Sequence, residues 1–247
     1  MFASFDLFQW SLLALIFVWT GFVRTALGFG GAALSLPLML LLAPQPLQFL
    51  PVIGTHLLVF SSLTLANRLH NVDWHYLRRA LAVMLLPMAA GLAGLLSLPG
   101  ETLSVLVFSI TLLYGISYLI GRPLRSQNRW VDSVLLAGGG YAAGASLIGA
   151  PLIVAVFTRH VEPHQLRDTL FVTWIVFVLI KMSTFIATGV DLHWRIALLL
   201  LPVAAVGHMA GLRVHDAILA SDGKRIRRLI GVALVLVTCL GLVRTGS

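Results

Sequence analysis

Two positive side chains sit where positive charge is costly. Arg24 and Lys181 each fall inside a long apolar run, and an ionisable residue in hydrocarbon is a functional candidate by default. No Asp or Glu lies deep in an apolar run to pair with either, so the natural partner is an anionic ligand. Snorkelling of these long side chains to the interface is the alternative. Just after Arg24 the chain reads Gly28-Phe29-Gly30-Gly31-Ala32-Ala33-Leu34-Ser35-Leu36-Pro37. Three glycines in four residues are poor helix interior, since each costs about 1 kcal/mol against alanine. They do permit a tight turn and a close approach of backbone to another group. A second break follows 118 residues on, at Gly144-Ala145-Ser146-Leu147-Ile148-Gly149-Ala150-Pro151.

Each break precedes a short apolar arm, from Ala32 and from Ala150-Pro151. A helix that starts at a break presents free N–H groups and a partial positive charge, which attract an anion. Pro151 suits a first helical turn, where its missing N–H is not needed. The competing reading is that the glycines only let helices pack closely, and that reading is preferred for Gly138-Gly139-Gly140. Thr55 and Thr173 also stand 118 residues apart; their hydroxyls fit an oxyanion site or bond their own helices. His56 is placed to carry a proton or donate to an oxyanion, or to be a buried ring bonded to a carbonyl. His208, close to Arg213, reads as interfacial. The candidate binding set is therefore Arg24, Gly28, Gly30, Gly31, Thr55, His56, Gly149, Ala150, Pro151, Thr173 and Lys181.

Other chemistry finds little support. Asp73/His75 and Asp191/His193 are two D-x-H pairs, but two ligands do not make a metal site; helix capping by the aspartates is the expectation. No triad or phosphate loop is present, and Gly28-Phe29-Gly30-Gly31 lacks the strand–helix setting of a dinucleotide fingerprint. The single cysteine, Cys239, excludes an intrachain disulfide or a thiolate cluster. No catalytic residue, metal or cofactor is expected.

These residues need a scaffold that the composition describes. The chain is 59% hydrophobic and 11% charged, far from a soluble average, and its apolar runs recur at the length a bilayer demands. The expectation is an all-α polytopic membrane protein. Met1 to Gly21 carries no Lys or Arg and so does not read as a secretory signal. In the first half the segments are about 5–27, 32–43, 47–66, 79–98 and 103–120; in the second, about 130–144, 150–157, 166–188, 194–212 and 229–243. The arm 32–43 reaches only ~18 Å, too short for ~30 Å of hydrocarbon.

Self-comparison supports duplication. At a shift of 118 residues Gly21 falls on Gly139, Gly31 on Gly149, Thr55 on Thr173, and Val72-Asp73-Trp74-His75 on Val190-Asp191-Leu192-His193. Five segments per repeat is an odd number, so tandem repeats must be inverted, as in many secondary transporters. The expected organisation is a first repeat over 1–121, a cytoplasmic linker at 122–129 and a second repeat over 130–247. Each repeat is a short re-entrant hairpin followed by three transmembrane helices. With the N-terminus outside, the loops 68–79, 122–129, 159–167 and 213–228 lie inside and hold thirteen of the 17 Lys and Arg, while the outside holds Arg195 and Arg244. That is a strong positive-inside bias and places both termini outside. The net charge of +8 is explained by these loops, with Lys224-Arg225-Ile226-Arg227-Arg228 as an anchor to anionic lipid, and does not call for nucleic acid.

The first break with its proline, the sparser second break at Gly144…Gly149-Ala150-Pro151, the basic loops and the Asp73 and Asp191 segments together resemble the TauE/SafE family of sulfite and organosulfonate exporters over nearly the whole chain. The resemblance implies movement of a small sulfur-containing or related anion across a bacterial inner membrane, with proton coupling as one option. The expected function is secondary transport by alternating access. An anion channel, an intramembrane enzyme and a non-transport assembly protein are the rivals. The expected partners are the small anion, the lipid bilayer and a second copy of the chain in a homodimer.

Overall fold

Prolines, glycines and capping side chains cut the apolar sequence into helices. The computed structural model describes residues 2–27, 31–121, 126, 128–220 and 224–246. Among them are ten α-helices: α1 (Leu7–Leu27), α2 (Gly31–Leu42), α3 (Pro46–Leu65), α4 (Trp74–Ser97), α5 (Gly100–Leu119), α6 (Arg129–Ser146), α7 (Ala150–His160), α8 (Pro163–Ala187), α9 (Trp194–Ala220) and α10 (Lys224–Gly246). No strand occurs among the described residues. Seven helices, α1, α3, α4, α5, α8, α9 and α10, are long and apolar enough to cross a membrane.

All ten expected segments are found, and the differences are at their ends. α4 starts at Trp74 rather than near 79, because the Asp73 carboxylate accepts the Tyr76 N–H at 2.9 Å and caps the helix. α9 runs to Ala220 rather than stopping near 212. Hydropathy falls at Arg213, but nothing between Arg213 and Ala220 breaks a helix. In the other D-x-H pair, Asp191 accepts the His193 N–H at 2.8 Å and lies 3.1 Å from its Nδ1. No group of three metal-ligating side chains occurs among the described residues.

α3 and α8 form the centre. Within an apolar 18-residue stretch of each span, buried residues make up 61% in α3 and 56% in α8, against 22–39% in the other five. Around them α1 packs on α9, α4 on α6 and α5 on α10, while α2 packs on α1 and α7 on α6. In hydrocarbon such contacts depend on small residues that let backbones approach. A Cβ on Gly207 of α9 would overlap the Val18 carbonyl of α1, and one on Gly144 of α6 would overlap the Met88 carbonyl of α4.

The helix ends sort into two groups. At one end of the bundle Phe2 stacks edge-on against Phe49 and His193, Arg244 donates to the Leu41 carbonyl at 2.9 Å, and Gly100 lies against Pro44. At the other end Arg68 and Asn71 bond Asp168, the Asp73 N–H donates to Thr169 Oγ1, and Tyr76 stacks on His160 at 4.9 Å. There too Asp132 holds Ser126, Arg159 and His160. Three of the four basic loops are thus tied together. The open base of the α1–α2 hairpin lies at the first end, and that of the α6–α7 hairpin at the second.

Candidate functional site

Between the central helices the two hairpin tips meet. A cavity of ≈ 20 Å³ is lined by Thr20 and Arg24 of α1, Gly31 and Ala32 of α2, Ile53 and Leu57 of α3, Leu147 and Ala150 of the second hairpin, and Trp174 of α8. It has room for about one water. A larger groove of ≈ 400 Å³ between α1, α2 and α10 is lined only by apolar and aromatic side chains and offers no charge to an anion.

Arg24 is 5% exposed. Its guanidinium carbon sits 4.8 Å from the centre of the Phe60 ring, a cation–π contact. Its Nη2 is buried with no hydrogen-bond partner, and it has no acidic partner among the described residues. Gly31 brings the start of α2 against it, since a Cβ there would come 2.9 Å from Arg24 Cβ and 3.3 Å from the Thr20 carbonyl. Gly28 and Gly30 lie outside the described residues.

The second tip is built differently. α6 ends on Leu147 in the left-handed conformation, φ 61°. Gly149 then precedes α7, and a Cβ on it would overlap the Gly139 carbonyl. Gly139 and Gly140 are themselves packing glycines, against Ile153 and Met84. Ala150 reaches the cavity, and Pro151 occupies the first turn of α7. The first-turn N–H groups of α2 and α7 have no partner in their own helices.

The other sequence-nominated residues stand around this cavity rather than on it. The hydroxyls of Thr55 and Thr173 donate to the Pro51 and Thr169 carbonyls of their own helices, each at 2.9 Å. Their oxygens still accept, but their protons are spent. His56 is fully buried; its Nε2 lies 2.7 Å from the Ala197 carbonyl and its Nδ1 has no partner. A carbonyl only accepts, so Nε2 carries the proton. Lys181, 1% exposed, donates its ammonium to the Gly144 carbonyl in the last turn of α6. A cation at that helix end offsets the negative end of the dipole.

Sequence reasoning missed Thr20, Trp174 and Leu147 at the cavity, and placed His208 at the interface. Thr20 was available, one helical turn before Arg24 and on the same face. His208 is half-buried. Its Nδ1 lies 2.6 Å from Thr25 Oγ1, and its ring is 4.8 Å from that of Phe60.

Among the described residues, a cation with an unpartnered Nη2 and two helix N-termini around a small cavity can hold a small anion. No curated relative and no solved structure matches the chain. The family model described as sulfite exporter TauE/SafE matches residues 13–240, and the chain belongs to that family.

Proposed function

We propose that this chain is a secondary transporter that moves a small anion, sulfite or an organosulfonate or a close relative, by alternating access. It is a multi-pass membrane protein of a transporter family. One observation carries the proposal: Gly31 and Ala32 at the start of α2, Leu147 and Ala150 of the second hairpin, and Arg24 with an unsatisfied Nη2 line the same small cavity. A bound oxyanion would supply the charge and acceptors that Arg24 lacks, and the helix ends would add dipole attraction.

The packing supports alternating access. The two halves, residues 1–121 and 130–247 joined by a cytoplasmic linker at 122–129, act as inverted repeats. The reciprocal pairing of α1 with α9 and of α6 with α4 supports this, as does the opening of the hairpins to opposite ends. In a bacterial inner membrane the basic loops would face the cytoplasm and both termini the periplasm. The cavity holds about one water, so a larger oxyanion requires the tips to part. The need for the tips to part favours a carrier that rocks about the site over an open channel.

The test is binding in detergent to a panel of sulfite, sulfate, sulfonates and carboxylates, with flux into vesicles. Arg24→Ala should weaken binding by about 10- to 100-fold, the worth of charge-assisted hydrogen bonds, while the protein still folds. An unaltered isotherm would reject the role of Arg24. Gly31→Leu, inserted normally, should abolish flux; unchanged flux would favour an assembly protein. Saturable counterflow separates a carrier from a channel.

A further inference from the structure

We propose that His208 takes up a proton as the anion binds, so that anion and proton cross together. This rests on the transporter reading above and names the group that would couple it to a proton gradient.

The geometry is that of a shared platform. The Phe60 ring carries the Arg24 guanidinium at 4.8 Å and meets His208 at 4.8 Å and His56 at 6.3 Å. Thr25, the residue after Arg24, bonds His208 Nδ1 at 2.6 Å. The seam behind His208 cannot slacken easily: a Cβ on Gly21 of α1 would come 3.0 Å from the His208 backbone nitrogen, and Gly207 lies against Val18. His208 therefore keeps a fixed place beside the cation of the cavity.

Two histidines share this platform, and their hydrogen bonds separate them. His56 spends its Nε2 proton on Ala197, and no acceptor awaits a second proton at its buried Nδ1. His208 faces a hydroxyl, which donates to a neutral Nδ1 and accepts from a protonated one. Only His208 has a partner suited to both states. It is also half-buried, whereas His56 is fully buried.

The charges around His208 set the direction. α1 presents Arg24 and α3 presents His56. The sequence of α9 itself also carries Arg195, Arg213, His215 and Asp216, and neither α1 nor α3 contains a carboxylate. An imidazolium beside the unbalanced Arg24 is repelled while the site is empty. A bound anion cancels that repulsion, so binding draws a proton from solvent onto Nδ1, and the Thr25 hydroxyl turns from donor to acceptor. By reciprocity, anion affinity must rise as pH falls through the titration of His208.

The experiment uses the intact protein in weakly buffered detergent with a pH-indicator dye. Methanesulfonate, which remains an anion between about pH 5.5 and 8, is added, and calorimetry counts the anion bound. Wild type should take up close to ~1 proton per anion near the histidine range. His208→Gln should bind methanesulfonate and take up none, while His56→Gln should keep the uptake. A proton count unchanged in His208→Gln, or abolished in His56→Gln, overturns the proposal. A merely structural histidine would not move this ratio. If His208→Gln fails to insert, Thr25→Val decides: losing the hydroxyl that accepts from the imidazolium should shift uptake to lower pH, and an unshifted profile overturns the assignment. Anion binding by wild type with no proton uptake removes the role of His208 alone. Failure of every anion in the panel to bind removes the transport reading with it.

Discussion

The two intramembrane cations divide the work. Arg24 has an unused donor on the cavity, whereas Lys181 is committed to the Gly144 carbonyl. Lys181 thus holds the end of α6 so that Leu147 and Ala150 reach the centre. Replacing it by methionine keeps much of the shape and strands a buried carbonyl, at a cost of about 1–3 kcal/mol. We expect Lys181→Met to melt earlier in detergent while binding anion better than Arg24→Ala does. A variant that melts like wild type but binds as poorly as Arg24→Ala would move Lys181 into the site. The position of both cations was legible in the sequence, because charge in an apolar run is a local signal. Which of them is free was not, since the partner of Lys181 lies 37 residues away on another helix. The same limit hid Thr55 and Thr173, whose internal 118-residue spacing says nothing about where each hydroxyl points, and His208, whose role depends on α1 and α9 meeting.

At the level of elements, the second hairpin is clamped at its base. Asp132 in the first turn of α6 accepts from Arg159 at 3.1 Å and from His160 at 2.8 Å, both in the last turn of α7, and also from Ser126. Burial alone would raise its carboxyl, but Ser126, His160 and Arg159 outweigh that and hold it below the ordinary carboxylate value. A carboxyl depressed in the folded state adds stability that is present above its unfolded value, 3.8, and is lost as pH falls below it. Asp132→Asn should therefore lower the melting temperature at neutral pH, and the gap to wild type should shrink as pH drops below about 4. A gap that stays constant across that range would mean the carboxylate charge contributes nothing to the clamp. The hairpins themselves were readable from glycine, proline and the shortness of α2 and α7. The overrun of α9 was not, because hydropathy marks where a helix leaves hydrocarbon rather than where it ends.

For the whole molecule the decisive question is which end faces the cytoplasm. The basic loops 68–79 and 159–167 meet at one end through Arg68, Asp168, Tyr76 and His160, and the N-terminus, the α2–α3 turn and Arg244 gather at the other. Contacts fix which loops share an end but not its side; the proposed side rests on charge asymmetry, because Lys and Arg resist transfer across the bilayer. Cys239 is the one cysteine, so a Cys239→Ala background gives a clean reporter. In intact cells a membrane-impermeant maleimide should label Gln45→Cys, exposed in the α2–α3 turn, and should reach the exposed His70→Cys only after the membrane is opened. The reverse pattern would invert the protein and turn the proposed direction of the basic loops around while leaving the site intact. Labelling of both positions in sealed cells would place the two ends on one side. No arrangement of inverted halves about the cavity could then stand, because two hairpins that open to a single side cannot expose one central anion alternately to two compartments.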